Sequence, residues 1–98
     1  MARFELTTDA EQDLLSIAYF GMEQFVGMEQ FGVAQSERYR DKLYQRFQEL
    51  AETPLLYPAV DYIRQDYRRS VCGSHSVYYR VHAEYVEIMR VIGQENFF

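Results

Sequence analysis

Cationic and ring-nitrogen side chains gather in one stretch of this 98-residue sequence. Between residues 62 and 82 stand Arg64, Arg68, Arg69 and Arg80 with His75 and His82, against one acid, Asp66. Nine of the ten basic residues are arginine, Lys42 being the exception. Arginine presents a planar fork of donors that grips carboxylate or phosphate and sheds water more readily than lysine. Two chemistries follow: a surface for an acidic protein partner, or a grip on a phosphate backbone. Arg90 adds a separate question. Alternation along 85–92 places Val86, Ile88, Arg90 and Ile92 on one face, and a charge on an apolar stripe is costly unless paired. Arg90 is therefore either one half of a buried ion pair with an acid from a helix, or an arginine lining a receiving surface.

Other reactive types are present but isolated. His75 and His82 have no set of Cys, His and Asp around them, so no metal site is expected and both are read as structural or solvated. Cys72, beside Gly73, reads as a small half-buried strand residue rather than a nucleophile. No Ser/His/Asp spacing, glycine-rich phosphate loop or paired-carboxylate arrangement is present, so no catalytic residue and no cofactor is assigned. Ten basic residues against fifteen acids give a formal net charge of -5, which opposes direct nucleic-acid binding. The charge is uneven: residues 1–60 carry ten acids and five bases, residues 61–98 five of each. The lone cysteine points to a reducing compartment, and no run suits a membrane span or a signal peptide. A cytoplasmic protein without a membrane role is expected.

The elements that must position these residues are legible from periodicity. The length supports one domain, 1–98. Residues 3–7 alternate as a short strand, and Thr8-Asp9-Ala10-Glu11 fits a capping box with Thr8 as N-cap. A first helix over about 9–31 and a second over about 33–52 follow, the second with an apolar stripe of Tyr39, Leu43, Phe47 and Leu50. Gly21-Met22-Glu23-Gln24-Phe25 recurs at once as Gly27-Met28-Glu29-Gln30-Phe31. The first helix is expected to run through the second copy, lengthened by roughly 9 Å, and to stop near Gly32, the alternative being a bulge into the loop. Pro54 and Pro58 end the second helix. Thereafter the period is two, with strands over about 67–72, 75–82 and 85–92 joined by two-residue turns at Gly73-Ser74 and Ala83-Glu84. The fold class is α+β: an N-terminal strand, an antiparallel helical hairpin, then three antiparallel strands in one sheet. Phe97-Phe98 closes the chain as a small apolar anchor or a cover for a sheet edge.

Several segments together carry a family resemblance. They are Phe4-x-Leu6-Thr7-x-x-Ala10-x-x-Asp13-Leu14, Gln35-Ser36-Glu37-Arg38-Tyr39, Leu50-Ala51-Glu52-Thr53-Pro54, Tyr67-Arg68-Arg69-Ser70, Ser74 to Arg80 and Val86 to Ile92. In their joint order and spacing, the sequence resembles the ParE branch of the RelE/ParE toxin superfamily. The six-residue duplication departs from the family pattern. The resemblance implies a toxin of a type II toxin–antitoxin system, neutralised by a cognate protein antitoxin in a hetero-oligomer. ParE members poison DNA gyrase and RelE members cut mRNA on the ribosome, and one fold serves both. Arg69 and Arg90 fall where ribonucleolytic relatives carry arginines, but after Ile92 the chain reads Gly-Gln-Glu-Asn-Phe-Phe, without the His, Tyr or Lys such relatives use. The expectation is a non-enzymatic toxin that binds a protein, with DNA gyrase as the family's target. The alternatives are a ribosome-dependent mRNA endonuclease or a toxin with another target. Candidate antitoxin- or target-binding residues are Arg64, Arg68, Arg69, Tyr79, Arg80, Arg90, Phe97 and Phe98.

Overall fold

The structure, a computed structural model, describes residues 2–23 and 29–93, and the side chains of 2–18 and 37–93. Six elements follow one another: β1 (Phe4–Leu6), α1 (Thr8–Glu23), α2 (Glu29–Glu52), β2 (Arg68–Cys72), β3 (His75–Val81) and β4 (Val86–Gly93). The sheet order is β1-β4-β3-β2. The last three strands are antiparallel neighbours, and β1 joins β4 in parallel, Phe4 opposite Val86 and Leu6 opposite Ile88. The α+β class and element order are those expected from the sequence.

Thr7 marks the corner between β1 and α1. Its Oγ1 accepts the Ala10 N–H at 3.0 Å and donates to the Met89 carbonyl at 2.8 Å, while its carbonyl accepts the Glu11 N–H. Thr7, not Thr8, is therefore the N-cap. The cap is displaced by one residue because the Thr7 hydroxyl alone serves the helix start and the β4 edge together.

α2 begins at Glu29, so Glu29, Gln30 and Phe31 of the second repeat copy belong to α2 and not to α1. Gly32 lies inside this helix rather than ending α1. One interior glycine costs about 1 kcal/mol relative to alanine, a loss that burial of one face of a long helix outweighs. Residues 24–28, and with them the expected passage of α1 through the duplication, lie outside the described residues. So do Phe97 and Phe98.

The core lies between the helices and the sheet. Leu43, Phe47 and Leu50 of α2 are fully buried against Val77, Tyr79, Val86, Ile88 and Val91, with Ala10, Leu14 and Ile17 of α1 completing the layer. Phe4 of β1 sets its ring edge-on to Phe47 at 5.5 Å.

Two backbone features decide which way the strand residues face. Gly73 opens the β2–β3 turn at φ +62°, a conformation Ser74 does not share, the pattern of a type II′ turn. Farther along, consecutive β3 residues Tyr78 and Tyr79 pair with Arg90 and Ile88, leaving Met89 as an extra residue in β4. This bulge reverses the alternation. Val91 turns to the core with Val86 and Ile88, whereas Arg90 and Ile92 turn to the other face. The expected stripe of Val86, Ile88, Arg90 and Ile92 is corrected accordingly: it ends at the bulge.

Candidate functional site

Arg90 is held by α1. Its Nε donates to Asp13 Oδ2 at 2.7 Å and its Nη2 to Asp13 Oδ1 at 2.9 Å, and the same Oδ2 accepts the Val91 N–H at 2.9 Å. The bond to Asp13 drives the guanidinium, already a permanent cation, still further from deprotonation. Of the two sequence readings of Arg90, the ion pair with a helix acid is the geometry found. Part of the side chain remains open, 33% against 14% for Asp13.

Beside Arg90 lies a cleft of about 180 Å³, lined by Thr7, Asp9, Arg64, Tyr67, Met89 and Arg90 itself. A second cleft, of about 300 Å³, shares Tyr67 and carries Arg68 and Arg80 with Asp61, Asp66, Leu55, Ala59 and Val81. Four of the predicted arginines thus divide between two clefts with a common tyrosine wall. Each cleft also holds carboxylate: Asp9 in one, Asp61 and Asp66 in the other. The count of one acid within residues 62–82 stops one residue short of Asp61 and leaves out Asp9 and Asp13, which the fold brings in from α1.

The remaining candidates separate. Arg68 Nη1 donates to the Tyr57 carbonyl at 2.6 Å, which ties β2 to the segment before it. Arg69 Nε donates to Ser76 Oγ at 2.9 Å, and Arg69 lines neither cleft. Arg80 sits opposite Glu87 in the β3–β4 register. Tyr79 is corrected: it is fully buried, its hydroxyl donates to the Pro54 carbonyl at 2.8 Å, and burial pushes its phenol up. A side chain so enclosed offers no surface to a partner.

Both histidines are engaged. Tyr39 Oη lies 2.6 Å from His75 Nδ1 and accepts the Ser74 N–H at 3.1 Å. Burial lowers the His75 pKa, with the Asp13 carboxylate partly opposing. His82 Nε2 lies 2.8 Å from Glu87 Oε1, and its ring stacks on Tyr85 at 4.6 Å. A cleft of about 400 Å³ adjoins this turn and is lined by Arg3, His82, Glu84 and Tyr85 among others. None of the predicted arginines reaches it. Among the described residues no group of three or more His, Cys, Asp or Glu could hold a metal ion, and no helix is long and apolar enough to cross a membrane.

Sequence reasoning missed Asp13, Tyr39, Arg46 and Tyr67 as organising residues. Asp13 had a usable signal, the demand of Arg90 for a partner acid. Tyr39 falls on the apolar stripe of the second helix, and nothing in its spacing signals the bond to His75.

The fold is a small α+β module with arginine-bearing clefts on its sheet side, and comparison with known proteins gives its family. The model of the ParE toxin of type II toxin–antitoxin systems (parDE) matches residues 4–96. Toxin ParE1 of Mycobacterium tuberculosis is 36% identical over 67 residues, 67% of this chain and 68% of that protein. Toxin ParE1 of Caulobacter vibrioides is 33% identical over 94 residues, 96% of this chain and 91% of that protein. A solved chain described as the chromosomal ParDE toxin–antitoxin system from P. aeruginosa superposes with a TM-score of 0.72 at 16% identity, covering 95% of this chain and 96% of that one. The chain belongs to the ParE toxin family of type II toxin–antitoxin systems.

Proposed function

We propose that this toxin acts without catalysis, by docking on a protein target, with DNA gyrase the target suggested by the family resemblance. A cognate antitoxin would neutralise it by covering the same surface in a hetero-oligomer. The observation that carries the reading is the mixed charge of the paired clefts. Arg64, Arg68, Arg80 and Arg90 alternate with Asp9, Asp61 and Asp66 around Tyr67. Nucleic acid rewards an unbroken run of cations, because each phosphate contact releases counterions. A protein surface rewards complementary charges of both signs set about an aromatic anchor.

Purified toxin added to a gyrase supercoiling assay is expected to inhibit, or to trap cleaved DNA, and added antitoxin to restore activity. Unimpaired supercoiling at high molar excess removes gyrase as the target. Codon-linked mRNA cleavage after induction, mapped by primer extension, would establish the endonuclease instead. A small reading frame directly upstream whose product co-purifies with the toxin tests the antitoxin partnership.

A further inference from the structure

The cleft of about 300 Å³ has an apolar end formed by Leu55 and Val81, and Leu55 is 67% exposed. The segment that presents Leu55 is fixed at several points. Tyr79 Oη donates to the Pro54 carbonyl, the Leu56 N–H to the Thr53 carbonyl at 3.2 Å, and Arg68 Nη1 to the Tyr57 carbonyl. The Tyr57 ring lies against the Arg46 guanidinium at 5.5 Å, and Arg46 Nη1 in turn donates to the Val71 carbonyl and Ser70 Oγ, both at 2.7 Å. A leucine held open to water by so many bonds around it is pre-ordered, so a partner that covers it does not have to order the segment first.

The charges of this cleft are not equivalent. Arg68 serves the Tyr57 carbonyl. Asp61 Oδ1 accepts the Asp66 N–H at 2.7 Å, where Asp66 sits at φ +65°, and Gln65 Nε2 donates to Asp66 Oδ1 at 3.5 Å. Glu87 stands opposite Arg80 in the β3–β4 register, but its Oε1 lies 2.8 Å from His82 Nε2. Among the described residues the Arg80 guanidinium makes no hydrogen bond or ion pair. One cation beside one apolar end calls for one carboxylate beside one apolar side chain; a longer acidic run would meet Asp61 and Asp66. Val81 also lines the cleft of about 400 Å³, and Tyr67 that of about 180 Å³, so the three run on from one another and suit a linear segment.

We propose that this cleft receives a linear segment of the antitoxin, which sets an apolar side chain against Leu55 and Val81 and a neighbouring carboxylate on Arg80. The apolar contact supplies most of the affinity and the carboxylate fixes the register. This assignment rests on the antitoxin partnership proposed above.

The test is calorimetric titration of the purified toxin with its cognate antitoxin at two salt concentrations. Leu55→Ser is expected to weaken binding about tenfold or more while keeping the parent's salt dependence. Arg80→Gln is expected to weaken it about threefold and to reduce the salt dependence. Leu15→Ser on α1, where the leucine is 66% exposed but lines none of these clefts, is expected to keep the parent's affinity. Parent-like affinity of Leu55→Ser overturns the proposal, and if gyrase inhibition is lost at the same time the cleft belongs to the target instead. Equal losses from Leu55→Ser and Leu15→Ser overturn it too, and an unchanged salt dependence in Arg80→Gln overturns the placing of the carboxylate. If circular dichroism shows Leu55→Ser unfolded, Leu55→Ala decides by the same criterion. Failure of the parent to bind the antitoxin refutes the partnership itself, whereas parent binding that Leu55→Ser leaves intact refutes this assignment alone.

Discussion

The pair formed by Asp13 and Arg90 offers the sharpest test of how α1 is fixed to the sheet. Asp13 accepts three hydrogen bonds, two from Arg90 and one from the Val91 backbone, and its side chain is 14% exposed. Because β1 ends at Leu6, these bonds and that of Thr7 to Met89 continue along β4 where no strand does. Asp13→Ala removes all three acceptors and strands the N–H of Val91, a residue 1% exposed. Hydrogen bonds to charged groups contribute about 1.5–3 kcal/mol each, and an unsatisfied buried N–H costs about 1–3 kcal/mol. Arg90, 33% exposed, can turn to water, so the sum must be discounted for screening. The expected loss is about 2–4 kcal/mol.

In a urea titration followed by far-ultraviolet circular dichroism, that loss lowers the midpoint by about 1–2 M with an unchanged slope. Asp13→Asn keeps one oxygen, which in the Oδ2 place still accepts from Val91 N–H and Arg90 Nε but loses the bond to Arg90 Nη2, and is expected to lose only about half as much, roughly 1–2 kcal/mol. A double-mutant cycle with Arg90→Met should return a coupling of about 1–2 kcal/mol. An Asp13→Ala variant within about 0.5 kcal/mol of the parent, or a coupling indistinguishable from zero, would show the pair to be an ordinary surface contact and refute the argument.

Gly73→Ala meets two obstacles at once, a φ of +62° and a Tyr39 ring atom 2.8 Å from the new Cβ, so a loss of about 1–3 kcal/mol in urea unfolding is expected. Tyr39→Phe deletes the hydroxyl that joins His75 and Ser74, with an expected loss of about 1–2 kcal/mol. Because burial lowers the His75 pKa, the unfolded chain takes up this proton first as the pH falls below 6.5. Stability is then lost from that pH downward until the folded state also protonates, and His75→Gln should flatten that part of the stability profile. Arg64→Ala with Arg80→Ala is expected to weaken antitoxin binding about tenfold or more by calorimetry. An unchanged affinity would remove the two clefts from the interface.

The helices and the β2–β3 turn could be read from the chain because their causes are local. A stripe at Tyr39, Leu43, Phe47 and Leu50 needs only helical periodicity, and a glycine at the first position of a two-residue turn needs only its own φ. The facing of Arg90 is a different kind of fact. Alternation assigns a face only while the register is unbroken, and Met89 breaks it through the way β4 meets β3, a pairing some ten residues away in sequence. The single extra residue moves Arg90 off the core face. It also sets Val91 inward, with its N–H at the edge that Asp13 closes. One bulge therefore decides both halves of the arrangement, the direction of the cation and the place of its acid. The demand of Arg90 for a partner was visible in the sequence, but the identity of that partner depended on Thr7 starting α1 at the point where β1 stops beside β4. The clefts inherit the same dependence. Arg64, Arg68 and Arg80 come from one half of the chain, yet one of the acids that temper them, Asp9, comes from the start of α1. A linear charge count over residues 62–82 finds one acid there, Asp66. In the folded chain the same neighbourhood is a surface of both signs, and the proposal of a protein partner rests on that mixture.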